Sequence, residues 1–215
     1  MNPPPDLDRL AGAYRWMEAA TFGPWLGWCR TEFLEQMHSR RRALVLGDGD
    51  GRFTARLLRA NSMVEIDAVD ASPAMLRALL CRAGPHSSRV RAHCADMRQW
   101  EPPRPPYDLV VTHFVLDFLT DREVDALART VRRTVSPSAL WVVSEFAVPK
   151  SQFGRLVARP VVAGLYFGFH LLTGLAVKTL PDHRAALSGA GFALRKSRTR
   201  LAGLLTSELW GADHP

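Results

Sequence analysis

Short apolar runs alternate along this chain with longer stretches whose apolar residues recur every three or four positions. "ALVL" (43–46), "MVEIDAV" (63–69), "RVRAHC" (89–94), "DLVVTHF" (108–114) and "LWVVSEF" (140–146) have the length and composition of buried strands. Between them, "RFTARLLRA", "AMLRALLCRA" and "REVDALARTVRRT" carry helical spacing. Ser72-Pro73 ahead of the second helix reads as an N-cap followed by proline at the first helical position. "EPPRPPY" (101–107) reads as a surface loop. Strand and helix in alternation predict an α/β fold: a Rossmann-like, doubly wound sheet with helices on both faces.

The two ends read differently. Residues 7–38 have helical spacing, and Gly23-Pro24 is expected to divide them into two helices. "RPVVAGLYFGFHLLTGLAVK" (159–178) is very apolar, but glycines interrupt it and His170 lies near its centre. The expectation is a helical lid folded onto the domain, not a membrane span. "PDHRAALSGAGF" predicts a helix closed by Gly191, and "FALRKSRTRL" with "GLLTSELW" an antiparallel pair. The sheet is therefore expected to have seven strands, mostly parallel, with an antiparallel C-terminal strand. The whole chain, 1–215, reads as one domain. It comprises a helical cap (1–40), a cofactor-binding core (43–150), a lid or substrate segment (151–180) and a closing helix with its strand pair (181–215).

Composition adds little to this picture. Of 215 residues, 47% are hydrophobic and 23% charged, as in ordinary globular proteins. The net charge of +7 raises the question of nucleic acid. Its dense groups, Arg40-Arg41-Arg42 and Arg195, Lys196, Arg198, Arg200, have no interleaved aromatic residues, so no nucleic-acid partner is expected. Cys29, Cys81 and Cys94 are widely spaced, which fits a reducing compartment and neither a disulfide framework nor a metal site. "MNPPPDLDRL" lacks the features of a secretory signal. A cytoplasmic location follows as the expectation, with no transmembrane segment, peripheral membrane contact left open and the oligomeric state undetermined.

The chemistry concentrates after the first strand, where "ALVL" runs into Gly47-Asp48-Gly49-Asp50-Gly51. Glycines between a buried strand and a helix let a ligand approach the backbone, and the helix start offers free N–H groups. Asp70 lies 19 residues beyond Gly51 at the end of the second strand, where a carboxylate can accept both hydroxyls of a ribose. Asp96 follows the third strand, on the side where an adenine amino group would then lie. Dinucleotide enzymes use G-x-G-x-x-G, but the pattern here is G-x-G-x-G followed by Arg52. Asp48 and Asp50 would repel a pyrophosphate and suit a cation, and S-adenosylmethionine carries a sulfonium and an ammonium.

"LVLGDGDGRF", "VDASPAML", "CADMRQW", "YDLVVTHFVLDFL" and "ALWVVSEF", in that order, resemble the successive motifs of class I S-adenosylmethionine-dependent methyltransferases. "GAYRWMEAATFGPWLGWCR", "SEFAVP", "LPDHRAALSGAGF" and "RLAGLLTSELWG" are similar to flanking segments of the ubiquinone and menaquinone C-methyltransferases. The resemblance implies that Gly47, Gly49 and Gly51 line the methionine part of the cofactor. It implies that Asp70 holds the ribose, with Ala71 and Met75 beside the adenine. Asp96 would take the adenine amino group, with Met97 on the ring. Thr112 and His113 would face the transferred methyl, and Tyr14 would close over the cofactor.

The chain departs from these patterns in three places, one being that part of the subfamily's insert before "LPDH" is missing. Val45 stands where an acid is usual two residues before the first glycine, so Asp48 or a water would contact the ammonium. "FVLDF", Phe114 to Phe118, replaces "FGLRN", which makes Phe114 and Asp117 candidate substrate residues. His113 is the candidate base or positioning group, because its ordinary pKa is near neutral and its strand ends at the crevice. Asp117 is either its orienting partner or a helix-start acid, and Glu145 is a further carboxylate at a strand end.

Tyr14, Trp16, Phe22, Phe114 and Tyr166 point to a small apolar or aromatic acceptor. The competing readings are a nicotinamide-dependent Rossmann oxidoreductase, a non-catalytic S-adenosylmethionine-binding protein and a nucleic-acid methyltransferase. An Asn/Asp-Pro-Pro-Tyr signature of the last is missing after the fourth strand, where "THFVLD" stands.

Overall fold

The computed structural model describes residues 23–103, 105–147 and 180–212. A helix α1 (Gly23–Thr31) precedes the sheet and is followed by a 3-10 turn, Leu34–Met37. Then come β1 (Arg42–Leu46), α2 (Arg52–Ala60), β2 (Glu65–Asp70), α3 (Pro73–Ala83), β3 (Val90–Cys94) and β4 (Tyr107–His113). After the 3-10 turn Leu116–Phe118 follow α4 (Asp121–Thr134), β5 (Val135–Phe146), α5 (His183–Gly189), β6 (Phe192–Arg200) and β7 (Leu205–Ala212).

The seven strands form one sheet in the order β3-β2-β1-β4-β5-β7-β6. The first five are parallel, and β7 runs antiparallel to both β5 and β6. Because side chains alternate across a strand, the central strands are apolar on both faces and build two cores. Leu44, Leu46, Val110, Trp141 and Trp210 pack on one face with Val124, Leu127 and Val131 of α4. Ala43, Val45, Val111 and Val142 pack on the other with Phe53 and Leu57 of α2. A buried carboxylate is satisfied within this frame: Tyr107 donates its hydroxyl to Asp67 (3.0 Å), and His93 lies 2.8 Å from the other oxygen. His93 is thereby a packing residue.

Local signals account for most boundaries. Ser72 caps α3 by accepting from the Met75 amide (3.2 Å), with Pro73 at the first helical position. Thr120 and Glu123 form a reciprocal capping box at the start of α4. Three expectations need correction. The helix that opens at Gly23-Pro24 stops at Thr31, so "WLGWCRTEFLEQM" is not continuous. The second strand starts at Glu65 because the Asn61 side chain draws the Met63 and Val64 amides into a turn (2.8 and 3.0 Å). β5 begins earlier than "LWVVSEF", at Val135, which pairs with Tyr107. The segment expected to form a lid, 151–180, lies outside the described residues except for Leu180, and Tyr14 lies outside them too. Among the described residues no helix is long and apolar enough to cross a membrane.

Candidate active site

The parallel order reverses direction between β1 and β4, and open α/β sheets bind ligands beyond the carboxyl ends of strands at such a point. The glycine loop lies here. Gly47, Gly49 and Gly51 all take positive φ (68, 59 and 79°), but their surroundings separate their roles. A β-carbon at Gly47 would overlap Val115 and approach Met97 Cε at 3.4 Å. One at Gly49 would meet Met75 Sδ alone, at 3.8 Å, so space opens above the loop there. One at Gly51 would lie 2.6 Å from the Leu79 backbone. This third glycine therefore serves the close packing of α2 on α3.

The loop acids do not offer free negative charge. Asp48 accepts from the amides of Phe53 (3.4 Å) and Thr54 (2.8 Å), capping α2. Burial pushes its carboxyl up to about 6, against the pull of those amides and of the Arg30 charge. Asp50 pairs with Arg52 (3.2 Å) and with Arg82 of α3 (2.8 Å). Both acids hold the loop to its helices, so the proposed contact between Asp48 and an ammonium is not what its hydrogen bonds provide.

Asp70 ends β2 with its carboxylate accepting from the Ser72 amide (2.9 Å), and burial raises its pKa. Ala71 follows it, the Gly49 amide also hydrogen-bonds the Asp70 carboxylate, and a β-carbon at Gly49 would meet Met75 Sδ, so Asp70, Gly49 and Met75 lie together. Met97 comes to the same loop from the other side, over Gly47. Asp96 is gripped instead by Arg98, whose Nε lies 2.9 and 2.8 Å from its two oxygens, and the guanidinium holds the carboxyl below its ordinary range. A role for Asp96 toward an adenine amino group would compete with this pair.

At the end of β4, neighbouring residues face opposite ways. Thr112 is fully buried and its hydroxyl accepts from Trp141 Nε1 (2.9 Å) on the α4 side of the sheet. It faces that core and not the crevice, which corrects the expectation for it. His113 faces α2, packed edge-on against Phe53 with ring centroids 4.6 Å apart. Its Nδ1 lies 2.9 Å from Ser144 Oγ, and Ser144 in turn donates to the Cys29 carbonyl of α1 (3.1 Å). With the serine hydrogen so directed, Nδ1 is the protonated nitrogen and Nε2 the bare one. Nε2 is buried and has no hydrogen-bond partner among the described residues. Burial, reinforced by the Arg30 charge, holds the imidazole well below its ordinary pKa, so it is neutral.

Phe114 follows in the left-handed region (φ 55°), a conformation that strains a bulky residue by about 1–2 kcal/mol. The next turn is clamped from β5. Glu145 Oε1 accepts from the Val115 (3.1 Å) and Leu116 (2.9 Å) amides. Burial together with the nearby Asp117 charge raises the Glu145 carboxyl well above its usual range. Glu145 thus fixes the turn that lays Val115 against Gly47. Asp117 faces Glu145 and not His113, because residues 113 and 145 project from opposite faces of the sheet.

Comparison with known proteins decides what this loop belongs to. The family described as "Methyltransferase domain" matches residues 43–138. This segment is a class I S-adenosylmethionine-dependent methyltransferase domain. Its cofactor is S-adenosylmethionine. The chain is 34% identical over 106 residues to a malonyl-(acyl-carrier protein) O-methyltransferase of Halorhodospira halophila, covering 49% of this chain and 35% of that one. It is 30% identical over 154 residues to a trans-aconitate 2-methyltransferase of Mycobacterium sp. (strain KMS), covering 70% of this chain and 58% of that one. The S-adenosylmethionine-dependent methyltransferase SibL superposes with a TM-score of 0.71 at 21% identity, over 100% of this chain and 64% of that one. The chain thus spans less than two thirds of each of these proteins.

The residues present fit the cofactor of this domain class. Gly49 leaves a space that a side chain would fill, and beside it Asp70, a carboxylate that accepts from the Ser72 and Gly49 amides, is an acceptor of the kind that a ribose diol needs. The sequence reading missed Glu145 as the clamp, Ser144 as the partner of His113, and Arg30. The Ser144 and Glu145 roles follow from strand register, since Ser144 pairs with His113 across β4 and β5.

Proposed function

We propose that this protein transfers a methyl group from S-adenosylmethionine to a small acceptor with an apolar or aromatic body. The observation that carries the proposal is the cradle of Gly47, Gly49, Met75 and Asp70 at the ends of β1 and β2, within a segment of the methyltransferase family. When bound, the cofactor supplies an electrophilic methyl on a sulfonium, which leaves without protonation. The chain's own part is to bind, orient and desolvate. Asp70 accepts the ribose hydroxyls. Gly49 lets the ligand reach the backbone, while Val115 and Met97 wall the loop at Gly47. His113 receives a proton at Nε2 where the acceptor must lose one.

Phe114, a candidate substrate residue, is 3% exposed and packs with Leu26, Cys29, Leu205 and Phe146, so the apolar or aromatic character of the acceptor rests on the sequence alone. The relatives above act, by their names, on malonyl-(acyl-carrier protein) and on trans-aconitate. Closeness to the quinone C-methyltransferases is a finer reading, which rests on "GAYRWMEAATFGPWLGWCR" and the C-terminal segments. Incubation with S-adenosylmethionine labelled in the methyl group and a fractionated small-molecule extract tests the function. Label in an organic product is expected, and label that stays in the cofactor with every fraction contradicts it.

A further inference from the structure

β4 and β5 stay paired up to His113 and Ser144, and the Phe114 amide still donates to the Ser144 carbonyl (2.7 Å). Beyond that bond the ladder ends. Phe114 turns through the left-handed region, and the 3-10 turn Leu116–Phe118 begins, with the Phe118 amide donating back to the Val115 carbonyl (3.2 Å) and the Leu119 amide to that of Leu116 (3.0 Å). The Val115 and Leu116 amides find their acceptor on a side chain. Both donate to one atom, Glu145 Oε1, at 3.1 and 2.9 Å. Glu145 is only 2% exposed, so bulk water does not stand ready to replace that oxygen.

The turn held in this way carries Val115 to the glycine loop. A β-carbon on Gly47 would lie 3.0 Å from Val115 Cβ and closer still to its Cγ2. Gly47 is fixed on its other side by its amide, which donates to the carbonyl of Val69 (2.9 Å), the residue before Asp70. Val115, Gly47 and Asp70 thus follow one another across the ends of β4, β1 and β2, and Glu145 stands one strand further on, on β5. An un-ionised carboxyl suits its task. A carbonyl oxygen has two lone pairs for two amides, and the hydroxyl is left over. Oε2 is buried and has no hydrogen-bond partner among the described residues, and burial with the Asp117 charge favours the protonated form. Glutamine reproduces the accepting oxygen, whereas methionine has nearly the same length and lacks it.

We propose that Glu145 is a positioning residue for S-adenosylmethionine: acting through Val115, it sets the wall of the glycine loop and with it the affinity for the cofactor. The inference rests on the cofactor assignment above and adds a residue on β5 that governs the site through its neighbour.

Calorimetric titration of S-adenosylhomocysteine into the full chain tests it. Glu145→Met should weaken binding roughly tenfold or more, and Glu145→Gln should keep it within about threefold of the wild type. Because the effect travels through Val115, the methionine substitution should cost less than about threefold in a Val115→Ala background, measured as a double-mutant cycle. Hydrogen exchange without ligand should be faster at the Val115 and Leu116 amides in Glu145→Met and unchanged in Glu145→Gln. Faster exchange with unchanged affinity makes Glu145 a strut of the fold only and overturns the proposal. So does the same loss with and without Val115, or a loss in Glu145→Gln as large as in Glu145→Met. Val115→Ala by itself should weaken binding roughly threefold or more, and it carries the test should Glu145→Met not fold. An affinity equal to that of the wild type there also overturns the proposal. A wild type that binds no S-adenosylhomocysteine counts against the cofactor assignment and takes the proposal with it, while the exchange of the two amides still reports the clamp.

Discussion

His113 and Ser144 stand opposite one another across β4 and β5, with Nδ1 2.9 Å from Oγ. The serine passes the connection on to the Cys29 carbonyl, so the imidazole at the strand end is fixed by the helix α1 that covers it. Ser207 donates to the same carbonyl at 3.0 Å, which ties β7 into the arrangement.

A histidine held neutral by burial has a definite kinetic signature. His113→Ala should lower turnover by roughly 10²–10⁴-fold if the acceptor gives up a proton, with the affinity for S-adenosylhomocysteine nearly unchanged. The base form already prevails at neutral pH because the imidazole lies well below 6.5. The pH profile of kcat/KM should therefore show no ionisation near 6.5. A limb between pH 6 and 7 that disappears in His113→Ala contradicts the neutral assignment.

Asp48 links the glycine loop to pH. Its folded-state value is raised from 3.8 to about 6, so between those values the native protein keeps a proton that the unfolded chain has lost. Stability from this group therefore falls as pH rises through that window, by up to about 3 kcal/mol, reduced where water reaches the half-buried carboxyl. Asp48→Asn keeps an acceptor for the α2 amides and removes the titration. Denaturant unfolding from pH 4 to 7 should show the asparagine variant gaining on the wild type as pH rises. Parallel stability curves contradict the shift.

The three loop glycines should separate by substitution. Gly51→Ala forces a β-carbon into the Leu79 backbone at positive φ, and should cost about 2–4 kcal/mol of stability. Gly49→Ala meets no such obstacle and should cost about 1–2 kcal/mol, from its φ alone, while weakening cofactor binding more than Gly51→Ala does. Thermal melts with and without S-adenosylhomocysteine check both. Equal stability losses for the two variants contradict the assignment.

Strand and helix were legible in the sequence wherever one local signal sufficed. The Ser72-Pro73 cap, the apolar run into Gly47 and the alternation of strands with helices required no distant residue. The roles of the acids were not legible, because their partners come from far along the chain: Arg82 reaches Asp50 from α3. The assignment of Thr112 and His113 to one crevice conflicts with the two-residue period of a strand, which sends neighbouring side chains to opposite faces. Trp141 then claims the Thr112 hydroxyl and Ser144 the imidazole. Glu145 lay at a predicted strand end, but its bonds to the Val115 and Leu116 amides depend on the turn after Phe114, for which the sequence carries no glycine or proline signal.

Calorimetric titration of S-adenosylhomocysteine into the wild type and Asp70→Ala tests the cofactor site most directly. The wild type should bind it and should not bind NADH. Asp70→Ala should lose about 1–3 kcal/mol of affinity, the cost of leaving the ribose hydroxyls without their acceptor. Equal affinity in the two proteins, or binding of NADH in place of S-adenosylhomocysteine, contradicts the site built on Gly49 and Asp70.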